Sequence, residues 1–339
     1  MRKSLSFDDV LLVPQYSEIE SRHSVDTASQ LKAGVVLDIP IIASPMDSVV
    51  GPEMVHALND FGAMAIVHRY YTMEKQAEII SGVVAKGYPV NVGAAIGVTG
   101  DFLKRADLAR NAGANLLCVD IAHGHHVLMQ NALHDLREKF GDSIHIMAGN
   151  VATLEGFNAL ADWGADSVRV GIGGGSICST RIQTGHGVPT LQSIVDCAKS
   201  DRDAGLIADG GIKTSGDIVK ALAAGADAVM LGSMLAGTEE TPGAIQVGKD
   251  GKEYKLYRGM ASRSAQLDWR GKSSAPEGIS TTIRYKGPVN NVLQDIDGGI
   301  RSGLSYSGSR NLRELRAKAE LIQQTPAGQQ ESSTHILGR

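Results

Sequence analysis

The densest set of chemically capable residues lies in GIGGGSICST, Gly171 to Thr180, where four glycines in five positions precede Ser176, Cys178 and Thr180. A run of this kind exposes backbone N–H groups and lets the chain approach an anion closely. A thiol among such amides has the setting of a nucleophile. The alternative is a glycine-rich connection whose cysteine is incidental. Asp209-Gly210-Gly211 and Gly232-Ser233 are further short polar loops. Alone, a DGG is an ordinary turn; together with Ser176, these loops could hold a phosphomonoester while Asp209 accepts hydrogen bonds from ribose hydroxyls. Arg69 reads either as a solvated or salt-bridged arginine or as a contact to a cofactor phosphate. Asp120 is a better polar candidate than His123, His125 and His126, whose spacing without supporting carboxylates is a weak metal signature. Cys118 and Cys197 fall in a strand-like and a helix-like run and read as core.

These residues share a position relative to the elements around them. Eight short β-branched runs, starting near Ile39, Gly62, Val90, Leu116, Ile144, Ala165, Gly205 and Ala226, each end in glycine or a polar residue. Between them lie stretches such as MEKQAEIISGVVAKG and SGDIVKALAAG, with apolar residues at three- and four-residue spacing. Nearly all-apolar strands suit a parallel sheet covered by helices. Eight βα units in 339 residues predict a closed (β/α)8 TIM barrel spanning the chain as one catalytic domain. The candidate residues then sit at strand C-termini, where barrels place their active sites. Residues 249–278, rich in Gly, Ser, Lys and Arg, read as a mobile flap. Residues 323–339 read as a polar, poorly ordered tail.

Composition narrows the function. Forty glycines in 339 residues exceed the usual ~7%, and aromatic residues make up only 4%; this favours close backbone approaches over base-stacking platforms. The net charge of −4 argues against a polyanion binder, so no nucleic acid partner is expected. No run approaches the ~20 apolar residues of a membrane span, and a cytoplasmic protein is expected. Three cysteines are too few for a disulfide framework or a zinc site.

Taken in order, LSFDDVLLVP, ASPMDS, MAGNV, GIGGGSICSTR with TGHGVP, ADGGI, MLGS, YRGM and APEG followed by YKG resemble the inosine-monophosphate dehydrogenase and guanosine-monophosphate reductase family, from about residue 5 to about 320. The resemblance implies a barrel, usually a homotetramer, in which Cys178 attacks C2 of a purine monophosphate and a nicotinamide cofactor exchanges hydride there. It further implies that Thr180 and Glu277 handle protons. Ser44, Met46, Ser176, Asp209, Gly210, Gly211, Gly232, Ser233, Tyr257, Gly259, Met260 and Ala261 would hold the nucleotide. Arg69, Asp120, Ile121, Ala122, Asn150, Ser302 and Ser305 would contact the cofactor, and Gly173, Gly175 and Cys178 would hold a monovalent cation, potassium by expectation, through backbone carbonyls.

The same motifs bear on the branch of the family. No regulatory cystathionine-β-synthase-type (CBS) insert follows the second strand. Met260 and Glu277 are only 17 positions apart (277 − 260), and the segment between them lacks the Arg-Tyr pair with which the family's dehydrogenases activate water. Arg284-Tyr285 lies downstream in a strand-like run. HRYY at His68 and DIxGGIRSxxxYxG, Asp295 to Gly308, resemble the reductase. An NADPH-dependent GMP reductase, taking GMP to IMP and ammonia, is therefore the expected activity. The alternatives are an IMP dehydrogenase without the insert, taking IMP and NAD to XMP, and a non-catalytic purine-nucleotide sensor. Where vertebrate-type reductases have an arginine three residues before the flap glutamate, this chain has Ser274, so that contact is either absent or supplied by Arg270 or another subunit.

Overall fold

A computed structural model describes residues 3–85 and 90–332. Eight parallel strands close into a barrel: β1 (Ile41–Ala43), β2 (Met64–Val67), β3 (Val92–Ile96), β4 (Leu116–Asp120), β5 (His145–Val151), β6 (Ser167–Val170), β7 (Gly205–Asp209) and β8 (Ala228–Leu231), with β8 pairing back onto β1. All eight apolar runs of the sequence become barrel strands, and the TIM-barrel expectation holds. Their side chains divide by the strand period of two. Ile42, Met64, Ile66, Ala95, Cys118, Met147, Ile207 and Met230 form an interior cluster with Leu31, Val35 and Leu37 of an N-terminal hairpin. The alternate positions, such as Ile41, Ala65, Val119 and Val229, pack outward under the helices.

The covering helices are α1 (Pro52–Asp60), α2 (Met73–Val84), α3 (Phe102–Asn111), α4 (Val127–Phe140), α5 (Leu154–Asp162), α6 (Thr180–Thr184), α7 (Thr190–Cys197) and α8 (Ser215–Ala223). Sequence explains where several begin: Thr72, Thr153 and Thr214 each accept the N–H three residues on with the side-chain hydroxyl, a cap that contributes about 1 kcal/mol. Among the described residues no helix is long and apolar enough to cross a membrane.

Three regions differ from expectation. The flap is largely regular: β9 (Gln246–Val247), β10 (Glu253–Arg258) and β11 (Ser280–Arg284) form an antiparallel sheet, with α9 (Arg263–Arg270) inserted between the last two. Lys255, buried on β10, donates to the carbonyls of Thr238, Glu239 and Thr241 and ties the sheet to the barrel.

The tail is ordered as far as it is described. Leu321–Gln323 pairs antiparallel with Val10–Leu12, and Gln324 bonds the backbone of Asp8 and Asp9. Then α12 (Pro326–Glu331) follows two earlier helices, α10 (Val289–Tyr306) and α11 (Leu312–Lys318). Residues 333–339 of the expected tail lie outside the described residues.

The third difference is α10 itself. Gly299 and Gly303, one helical turn apart, face α8 so closely that a Cβ on either would lie 2.3 Å from Ser215 Oγ or 2.6 Å from Val219 Cγ2. The GGIRSG motif is in this respect a helix-packing device.

Candidate active site

The C-terminal ends of the strands surround a cavity of about 500 Å³. Every residue expected to hold the nucleotide lines it: Ser44 and Met46 after β1, Ser176 after β6, Asp209 to Gly211 at β7, Gly232 and Ser233 after β8, and Tyr257 and Gly259 to Ala261 from the flap. Cys178, Thr180 and Glu277 line it too, as do Gly173, Gly175, Arg69, Asp120, Ile121, Ala122 and Asn150.

Ser302 and Ser305 do not. Both are on α10, and Ser302 borders a separate groove with Leu12, Pro14, Ser215 and Tyr306. Their expected cofactor contact is not made in this chain's own cavity, because the glycines beside them turn α10 onto α8.

The loop 171–180 leaves the end of β6 and folds over the cavity. At Gly171 φ is +147°, and a Cβ there would lie 1.9 Å from the carbonyl oxygen of Asp209, so the loop can cross the β7 end only with glycine at this position. The returning flap zips onto the loop: Ser179 N–H donates to the Glu277 carbonyl (2.9 Å) and Ile279 N–H to the Ile177 carbonyl (3.0 Å). This pairing brings Thr180 to Glu277, 97 positions away in the chain. Cys178 Sγ donates to Thr180 Oγ1 (3.2 Å), and Thr180 Oγ1 donates to Glu277 Oε2 (2.8 Å). The three groups form a continuous path for a proton between thiol and carboxylate. Cys118 and Cys197, in contrast, are buried and have their thiols pushed up to about 12 by burial, which suits inert core residues. Beside the loop, Ser176 Oγ lies 3.2 Å from Tyr257 Oη.

The opposite wall is built from charged and aromatic side chains. Arg169, between the two valines of SVRV in β6, donates to Asp120 Oδ1 (2.6 Å) and Asp209 Oδ2 (2.9 Å); Asn150 Nδ2 also donates to Asp209 Oδ2 (2.8 Å). Burial opposes charge on this guanidinium, but Cys118, Asp120 and Asp209 outweigh it and hold its pKa well above the ordinary value. Sequence reasoning passed over Arg169; the signal available was an arginine at a strand position where its neighbours are valines.

At the cavity mouth, Tyr70 stacks on Trp269 of α9 (4.1 Å between centroids), and the guanidiniums of Arg69 and Arg270 lie 4.9 and 4.5 Å from the same indole. Arg270 lines the cavity. Tyr70 Oη donates to the Met260 carbonyl, and Arg258 bridges Asp47 and Asp268. Beneath them His68 is driven to a pKa of about 4, chiefly by burial. Among the described residues no cluster of His, Cys, Asp or Glu is arranged to hold a metal ion. His126 instead caps α4, its Nδ1 accepting Leu128 N–H at 3.1 Å.

Comparisons with known proteins agree with this architecture. Residues 4–335 match the IMP dehydrogenase / GMP reductase domain. An inosine-5'-monophosphate dehydrogenase of Nitrosopumilus maritimus is 33% identical over 98% of each chain. A GMP reductase of Leishmania donovani is 31% identical over 99% of this chain and 98% of its own. The crystal structure of a cysteine-to-alanine variant of GMP reductase from Trypanosoma brucei, in complex with guanosine 5'-monophosphate, superposes with a TM-score of 0.92 at 31% identity, covering 99% of this chain and 98% of that one.

The alignment to the Leishmania reductase spans 481 positions against 339 residues here, so reductases too can be much longer than this chain. The missing insert therefore does not separate the two activities. With the model match spanning nearly the whole sequence and the barrel shared at high similarity, the chain belongs to the IMP dehydrogenase / GMP reductase family of oxidoreductases.

Proposed function

We propose that the protein is a GMP reductase that converts GMP to IMP and ammonia at the expense of NADPH. Cys178 Sγ bonds to C2 of the guanine, turning an aromatic amine into a leaving group on a tetrahedral carbon. Glu277 and Thr180 pass a proton to the departing nitrogen, so that it leaves as neutral ammonia. NADPH, when bound, supplies the hydride that ends on C2. Sγ is then expelled and IMP is released; overall, GMP, NADPH and two protons give IMP, NADP+ and ammonium. Asp120, Asn150, Arg69 and Arg270 suit the cofactor, offering an acceptor for ribose hydroxyls and guanidiniums for its phosphates. Gly173, Gly175 and Cys178 would supply carbonyls, the donors a potassium-sized ion takes, and the assembly would be a homotetramer in the cytoplasm.

The observation that carries this reading over dehydrogenation is the makeup of the flap. Between Met260 and Glu277 it holds α9 and no Arg-Tyr pair. Arg284-Tyr285 belongs to the end of β11 and its exit, where Tyr285 N–H donates to the Glu253 carbonyl, and neither residue lines the cavity. In the adjacent pair that does line it, Arg69-Tyr70, the tyrosine hydroxyl donates to the Met260 carbonyl and the guanidinium lies over Trp269 on the side proposed for the cofactor. Without that pair the flap lacks the group that activates water in the dehydrogenases the sequence resembles, and exclusion of water from the closed cavity would keep a covalent intermediate for hydride.

GMP-dependent loss of NADPH absorbance tests the proposal. The higher identity of the Nitrosopumilus dehydrogenase favours the second reading, which predicts no NADPH loss with GMP and NADH formation from IMP and NAD.

A further inference from the structure

The cavity has two carboxylates suited to vicinal hydroxyls, Asp209 on the nucleotide side and Asp120 on the cofactor side, and both are held by one buried guanidinium. Arg169 has only 7% of its side chain exposed, and its two terminal nitrogens serve different partners: one donates to Asp120 Oδ1 and the other to Asp209 Oδ2. The partners come from β4 and β7, strands that do not touch; β6, which carries Arg169, pairs with β5 and β7. Asn150, at the end of β5, closes the set by donating to Asp209 Oδ2. The oxygens of Asp209 therefore divide: Oδ2 takes two protein donors and Oδ1 is left for a ligand hydroxyl. The guanidinium is planar and rigid, so its two nitrogens cannot be repositioned independently.

We infer that Arg169 is a positioning residue that couples the two ribose-binding carboxylates, so that filling one half of the cavity favours filling the other. The inference rests on the proposed assignment of Asp209 to the nucleotide and Asp120 to the cofactor. A ligand that fixes either carboxylate also fixes the guanidinium and, through it, the other carboxylate. The ordering cost is met once for two ligands, which is positive cooperativity without a change of fold. Lysine at this place would keep the charge but, as a point donor, could not bridge both partners.

The test is calorimetric titration of GMP with and without saturating NADP+, which cannot turn GMP over. In the wild type, NADP+ should tighten GMP binding by about fivefold or more, the size of a typical coupling. In Arg169→Lys that factor should fall to about one while GMP alone still binds. Absence of coupling in the wild type, or its full retention in Arg169→Lys, overturns the inference.

If Arg169→Lys does not fold or does not bind GMP, Asp120→Asn decides. Asp120 is assigned to the cofactor, yet neutralising it should draw Arg169 onto Asp209 and weaken GMP binding about fivefold; unchanged GMP affinity overturns the coupling. A wild-type protein that binds no GMP would instead refute the functional reading, and the inference with it.

Discussion

The two walls of the cavity are built on different principles. The wall proposed for the nucleotide, from the ends of β6, β7 and β8, is mostly backbone: glycines let the 171–180 loop pass over Asp209, and Cys178 and Thr180, the proposed reacting groups, ride on that loop. The wall proposed for the cofactor, from the ends of β2, β4 and β5 and the flap helix α9, is mostly side chains, lined by Arg69, Asp120, Asn150 and Arg270, with Trp269 packed against Tyr70, Arg69 and Arg270 at its mouth. A backbone wall sets the shape of the cavity directly; a side-chain wall depends on charges and rings holding each other in place. Chemistry should therefore fail abruptly when the first wall is altered, and binding should decline gradually when the second is.

The largest effect should come from Cys178→Ala. Turnover should drop by more than about a thousandfold, as for loss of a nucleophile, while calorimetry still detects GMP binding; retained turnover would remove the covalent route. Glu277→Gln should follow, with a loss of about 10²–10⁴. In rapid-quench experiments ammonia release should slow more than hydride transfer, and equal slowing of both would reduce Glu277 to a base-orienting group.

The side-chain wall predicts a pH effect. His68, held near a pKa of about 4 in the fold and titrating near 6.5 when unfolded, binds more protons in the unfolded chain between those values. Its stabilising effect is complete above about pH 6.5 and is lost as pH falls toward 4, on the order of 3 kcal/mol at most. Thermal midpoints measured from pH 7 to 4 should show a drop that is smaller in His68→Gln; identical slopes would exclude this histidine.

The smallest effect is expected for Trp269→Ala, which removes the ring shared by Tyr70, Arg69 and Arg270. A loss of about 1–2 kcal/mol should appear as a raised KM for the cofactor, with GMP binding unchanged. Equal weakening of both ligands would show that Trp269 supports the whole cavity rather than its own wall.

Legibility in the sequence followed the same division. The barrel and the backbone wall were readable because uninterrupted apolar strands and glycine runs are local signals. The side-chain wall was only partly so. Arg169 matters through partners 49 and 40 positions away, and nothing local marks such a pairing.

GGIRSG reads two ways for a related reason, since glycines one helical turn apart serve close packing of α10 on α8 as well as they serve a ligand. The order at the start of the tail is not locally legible, because Leu321–Gln323 finds its strand partner at Val10–Leu12, near the opposite end of the sequence. The flap, read as loop from its polarity, gains order from the buried Lys255 and from the stack of Tyr70 on Trp269.

In the proposed function the relay from Cys178 through Thr180 to Glu277 serves a reduction, with no Arg-Tyr pair between Met260 and Glu277 to intercept the covalent intermediate. Single-turnover reaction of the enzyme with GMP and NADPH, with the products separated by chromatography and ammonia measured in parallel, tests it most directly. IMP and ammonia in equal amounts are predicted; XMP from GMP, or no product from GMP alongside XMP from IMP and NAD, would contradict it.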